Sequence, residues 1–158
     1  DPLDVATSAD VTASSYQRGA EPQNILNGCS RTVGTEKNYW QPDLEATPWI
    51  QLKLSQPRCL REVQFLFDSN LSREIMISLS ETHLTEQEKS TPSTLVKDFT
   101  IEFILNGKIV DTMTIHDNYQ RRVLVTRKVP IQCDTLKVII QQTYGTCTPK
   151  VFEIRLYE

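Results

Sequence analysis

Apolar side chains recur at every second position along most of this chain and almost nowhere at the spacing of a helix. Ile50, Leu52 and Leu54 alternate with Gln51, Lys53 and Ser55, and Val63, Phe65 and Phe67 follow after a Gln56-Pro57 break. Phe99, Ile101 and Phe103 lead to Asn106-Gly107, the strongest short hairpin signal, and Ile109 to Ile115 supplies the return strand. Val123 and Val125, then Leu136, Val138 and Ile140, then Phe152, Ile154 and Leu156, bring the total to at least seven strands. Successive strand residues point to opposite faces, so this alternation buries one face and wets the other. The fold class it predicts is all-β, an antiparallel sandwich of jelly-roll type.

Two segments break the pattern. Glu21 to Leu26 predicts one helical turn, with Pro22 near its start. Ser80 to Thr94 holds Glu81, Glu86, Glu88, Lys89 and Pro92 and predicts a mobile surface loop. No repeat or composition shift divides the chain, so residues 1–158 are expected to form a single domain. A domain of this length buries roughly 70% of its unfolded surface, enough for a core without staples. With 39% hydrophobic and 23% charged residues it is no disordered tail, and a net charge of −3 argues against a nucleic-acid partner. No apolar run is long enough to span a membrane. The chain opens on Asp1 with no charged and apolar leader after it, which suggests a piece cut from a longer protein at a domain border.

Cys29, Cys59, Cys133 and Cys147 form no zinc-type cluster with histidine. Four cysteines allow three disulfide pairings. Cys59 and Cys133 each stand about four residues ahead of an alternating run, near strand starts, and are the first pair to test. The alternative is four buried thiols packed as small hydrophobes.

Several segments in order point beyond a generic sandwich. They are Val11-Thr12-Ala13-Ser14-Ser15, Asn24-Ile25-Leu26-Asn27-Gly28, Thr32, Trp40, Pro48-Trp49-Ile50-Gln51-Leu52, Leu60-Arg61-Glu62-Val63, and the closing Val151-Phe152-Glu153-Ile154-Arg155-Leu156-Tyr157. The set resembles the discoidin, or coagulation-factor C-type, family of galactose-binding-like jelly rolls, along essentially the whole chain. A narrower likeness rests on Phe67-Asp68-Ser69-Asn70-Leu71, Val96-Lys97-Asp98-Phe99, Asn118-Tyr119-Gln120-Arg121-Arg122 and the Phe152-Glu153-Ile154-Arg155 ending. It is to the C-terminal module appended to some bacterial FAD-dependent oxidoreductases. The flavin chemistry would then lie elsewhere in the parent protein, since the five glycines of this chain stand alone and form no dinucleotide-binding turn.

The resemblance implies a non-catalytic accessory module, extracytoplasmic, that binds glycan through loops at one end of the sandwich. The alternative it implies is a structural module packed against a catalytic domain. The implied ligand-binding residues are Asp68, Asn70 and Arg73 in one loop, Asn118, Tyr119, Arg121 and Arg122 in another, and Tyr144 as an added ring. Paired Asp and Arg groups suit vicinal hydroxyls or a carboxylate. The resemblance also implies a structural calcium ion. Its ligands would be the carbonyls of Asn24 and Cys29, the Asn27 side chain, Thr32, the Phe152 carbonyl and the Glu153 carboxylate. Asn27 stands where the family usually has Asp, which removes one anion. Trp40 and Trp49 fall on strands beside the core in the family pattern and are expected to pack. Leu71 is the only large apolar loop tip, so membrane contact is not expected. His83 and His116 belong to no catalytic motif, and no nucleophile with its base is recognisable. Asn70-Leu71-Ser72 matches a glycosylation acceptor, relevant only in a eukaryotic secretory setting.

Overall fold

The computed structural model describes residues 1–69, 91–145 and 148–158. Among these residues there are six strands, all paired antiparallel: β1 (Asp10–Ala13), β2 (Trp49–Phe67), β3 (Val96–Leu105), β4 (Lys108–Ile115), β5 (Arg122–Thr143) and β6 (Val151–Tyr157). Two short 3-10 helices, Val5–Ser8 and Pro22–Leu26, flank β1. Pro22 opens the second of them, where its missing N–H costs nothing.

The alternation predicts four separate strands where two long ones exist. β2 has 19 residues and β5 has 22, and each absorbs two of the predicted runs. Between Lys53↔Thr135 and Arg58↔Cys133 extra residues accumulate on β2, and between Leu60↔Ile131 and Glu62↔Thr126 they accumulate on β5. Pro57 lies in the first irregularity and Pro130 in the second. Proline cannot donate to a ladder, so it is tolerated where the ladder skips. The two prolines therefore mark a corner in a continuous ribbon.

That corner builds the two layers. Before it, residues 49–53 of β2 lie between β1 and residues 135–139 of β5, and β3 and β4 extend this sheet. After it, residues 62–66 of β2 lie between β6 and residues 122–126 of β5. The layers meet through aromatic rings: Phe65 and Phe67 of the second pack edge-on against Phe99 of the first, each at 5.2 Å between centroids. All three are fully buried, within one continuous apolar core. The hairpin signal holds in detail. Asn106 and Gly107 adopt φ of 51° and 76°, as a type I′ turn requires. Asp134 accepts the Asn106 N–H at 2.9 Å, and this bond, with the Thr135 hydroxyl, holds its carboxyl below the usual range.

Sequence reading alone misses β1, which has four residues and buries only Val11 among them. The cysteines also need correction. Cys59 and Cys133 are neighbours on paired strands, but Cys59 faces solvent opposite Gln132 while Cys133 faces the core opposite Arg58. Their Cβ atoms point to opposite faces of the sheet, and both are free thiols. Nor are all the thiols buried: Cys29 is only half-buried. Cys147 lies outside the described residues.

Burial, followed by the charges of Asp134 and Cys59, pushes the Cys133 thiol up from 9.0 to about 12. Native protein is therefore expected to react with a maleimide at Cys59 and to leave Cys133 untouched until it unfolds. Between pH 9.0 and about 12 the unfolded thiol loses its proton while the folded one keeps it, so stability falls as pH rises through that window. Denaturant titrations across the window should show a shallower fall for Cys133→Ala. An identical fall in both proteins would refute this linkage.

Candidate functional site

The end of β2, the start of β5 and the start of β6 come together at one end of the sandwich. Phe67 N–H donates to the Arg121 carbonyl at 2.8 Å, and Asp68 N–H donates to the Lys150 carbonyl at 3.1 Å. The loop after the second 3-10 helix closes over this junction, because an Arg121 Nη2 hydrogen donates to the Ser30 carbonyl. The result is a cleft of about 400 Å³ lined by Ser30, Arg31, Thr32, Asp68, Ser69, Arg121 and Phe152.

Asp68, Arg121 and Phe152 are each held by their surroundings. Asp68 is buried; its Oδ2 accepts the Thr94 hydroxyl at 3.0 Å and lies 3.7 Å from Lys150 Nζ. The Arg121 guanidinium lies 5.7 Å from the centroid of the Phe152 ring. Phe152 in turn meets Tyr39 edge-on at 5.2 Å, and Lys150 Nζ lies over the Tyr39 ring at 5.1 Å. With Ala20 and Leu66 these rings form a second small core on the outer face of the second layer. It braces the cleft from beneath. The Ser69 Oγ is buried at the cleft and has no hydrogen-bond partner among the described residues.

The structure therefore unites Asp68 and Arg121, expected as ligand-binding, with Thr32 and Phe152, expected as part of a metal site. It places the other described candidates elsewhere. Asn118 is buried with its amide donating to the carbonyls of Val96 and Gln120 and accepting the Gln120 N–H. Arg122 donates through Nε and Nη2 to Gln64 Oε1. Tyr119 is exposed, Tyr144 carries Lys97 Nζ over its ring at 5.8 Å, and neither lines the cleft. Asn70, Arg73, Leu71 and His83 lie outside the described residues. Sequence reading misses Ser30, Arg31 and Ser69, although each is adjacent to a residue it selects.

Calcium chemistry asks for six to eight oxygens with available lone pairs. Here Asn27 Oδ1 accepts the Cys29 N–H and Asn27 Nδ2 donates to Asn38 Oδ1, both at 2.8 Å. The Asn24 carbonyl accepts the Asn27 N–H at 3.2 Å, and the Asn24 amide reaches the carbonyls of Gly19, Lys37 and Tyr39. Glu153 Oε1 accepts from Arg155 Nη2 at 2.8 Å, and Glu153 raises the guanidinium's pKa still further. In this arrangement Asn27 Oδ1, the Asn24 carbonyl and Glu153 Oε1 each already accept a hydrogen bond from a protein donor.

Neither Trp is a platform in this cleft. Trp40 is fully buried and its indole N–H donates to the Ser15 carbonyl at 2.9 Å, while Trp49 is half-buried beneath Lys137 Nζ at 4.7 Å.

With this geometry in hand, the solved structures can be compared. A fucose-binding module from Streptococcus pneumoniae superposes with a TM-score of 0.72 at 12% identity, over 98% of this chain and 97% of that one. The family 32 carbohydrate-binding module of C. perfringens NanJ, solved with galactose, gives 0.68 at 16% identity, over 98% and 96%. Chitosan-binding module 1 of a Paenibacillus chitosanase/glucanase gives 0.71 at 14% identity, over 98% of both chains. The fold is the galactose-binding-like β-sandwich. No family model and no curated protein matches the chain. In this β-sandwich the cleft sits where strand ends and loops converge, so its lining can vary without disturbing the core.

Proposed function

We propose that this domain is a non-catalytic carbohydrate-binding module and that its sugar site is the cleft between Asp68 and Arg121. The observation that carries the reading is the meeting of a braced carboxylate, a braced guanidinium and a buried hydroxyl without a partner among the described residues, all in one small cleft. A sugar offers hydroxyls that both donate and accept, which suits Asp68, Arg121 and Ser69 together. A buried hydroxyl without a partner costs about 1–3 kcal/mol, and a ligand atom bonded to Ser69 would relieve that cost. The named ligands of structures with the same fold are sugars, which supports the reading. The cleft also falls within the roughly 300–1,000 Å³ of small-ligand sites.

A glycan array on the domain, repeated with Arg121→Ala, tests it. The substitution is expected to weaken binding at least about tenfold, equivalent to about 1.4 kcal/mol, the scale of one charge-assisted hydrogen bond. Binding that survives Arg121→Ala would move the site elsewhere. No binding to any glycan would favour a module that packs against a partner domain, such as the oxidoreductase of the narrower resemblance.

We further propose that the loop over the cleft keeps its shape without calcium, because Asn24, Asn27 and Asn38 already close it. Melting curves in calcium and in chelator are expected to coincide. A rise in Tm with calcium would show that the ion displaces these bonds.

A further inference from the structure

Resting on the sugar-binding reading above, we infer that the cleft selects a sugar bearing an anionic group, a carboxylate or a sulfate, over the neutral sugar of the same ring. Among the described residues its lining includes two arginines, Arg31 and Arg121, against one acidic residue, Asp68. Asp68 is already matched by Lys150 at 3.7 Å and by the Thr94 hydroxyl, so it adds little negative field to the space above it. Glu153, beside Phe152 in sequence, is matched by Arg155. The chain as a whole carries −3, so the local cationic excess is a property of this cleft and not of the background.

The guanidiniums are also disposed to take an anion. Arg121 spends one Nη2 hydrogen on the Ser30 carbonyl and rests on the Phe152 ring, which fixes its plane and leaves its other N–H groups without a protein partner among the described residues. Arg31 is exposed, and its guanidinium has no hydrogen bond or ion pair among the described residues; only its carbonyl is engaged, by Asn38 and Cys29. Guanidinium forks match planar carboxylates and sulfate oxygens, and such bonds are roughly twice as strong as neutral ones.

The cleft lacks the usual alternative source of sugar affinity. Among the described residues its one ring, Phe152, is 5% exposed with Arg121 beside it, so none of them opens an aromatic face for a pyranose to stack on. Charge-assisted hydrogen bonds must then supply most of the binding, and cations reward them only with an anion. Ser30, Thr32 and Ser69 remain for the ring hydroxyls.

Calorimetric titration of the whole chain with galacturonate, galactose 6-sulfate and galactose tests this. At least one anionic sugar is expected to bind ten times or more tighter than galactose. That preference should shrink between about 50 and 500 mM salt, as screening shortens the reach of the charges. Arg31→Gln, an exposed change that the fold tolerates, should remove most of the preference by weakening the anionic sugars far more than galactose. Galacturonate binding without the sulfate would identify a carboxylate, and binding of both would identify any anionic group; either supports the inference. Galactose binding as tightly as both anionic sugars would overturn the anionic preference but leave the sugar reading intact. No binding by any of the three, with a blank glycan array, would overturn both.

Discussion

Phe99→Ala is expected to lower the unfolding free energy by about 3–5 kcal/mol, the range for truncating a fully buried Phe. Phe99 sits in β3 of the first layer and touches Phe65 and Phe67 of the second, both at 5.2 Å. It is therefore the ring through which the two layers register, and all three side chains are fully buried. Removing it leaves a cavity bounded by strand residues whose backbones are fixed by ladder hydrogen bonds, so collapse is limited. For a domain of this size Tm should fall by about 10 °C or more. Phe99→Leu refills much of the space and should lose well under half as much. Thermal and urea unfolding of the three proteins would check this, and a loss below about 1.5 kcal/mol for the alanine variant would mean the layers do not depend on this contact.

Asp4→Ala should cost about 2–4 kcal/mol, although the residue is polar and lies near the start of the chain. Asp4 is buried, and its Oδ1 accepts two backbone N–H groups: Ala6 at 2.9 Å, which caps the first 3-10 helix, and Leu156 at 3.0 Å. Leu156 belongs to β6, an edge strand whose only partner among the described strands is β2. The carboxylate thus stands in for a missing strand along that edge. Removing it orphans two amides, of which the Leu156 N–H lies in the core. Asp4→Asn keeps an accepting oxygen and should recover most of the loss. Tyr157 and Arg155 bind Asp1 at 2.9 Å and 3.7 Å, so hydrogen exchange should show the Leu156 amide opening together with the first residues of the chain. Equal instability of the Ala and Asn variants would reject the acceptor role.

The Asp4 contact shows why part of this protein cannot be read along the chain. Nothing near Asp4 announces that its oxygen meets a residue 152 positions away. The functional cleft has the same character. Asp68 and Arg121 are legible as candidates because Asp and Arg beside strand ends suit polar ligands. Arg31 and Ser69 acquire meaning only when the loop over the cleft, the end of β2 and the start of β5 converge. Asn118 makes the opposite point. It reads as a ligand-binding amide, yet both ends of that amide are spent on the backbone of its own turn and of β3.

The sequence by itself determined the class of the fold, the β3–β4 hairpin and the helical turn at Pro22. These follow from period-two alternation, from the positive φ that Asn-Gly accepts, and from proline's fixed φ, all of which act within a few residues. Only the tertiary structure decided that four apolar runs are two bent strands, that Cys59 and Cys133 face apart, and which charged groups share a cleft. Those outcomes depend on register between strands dozens of residues apart, where a shift of one position exchanges the two faces and no local preference fixes the choice.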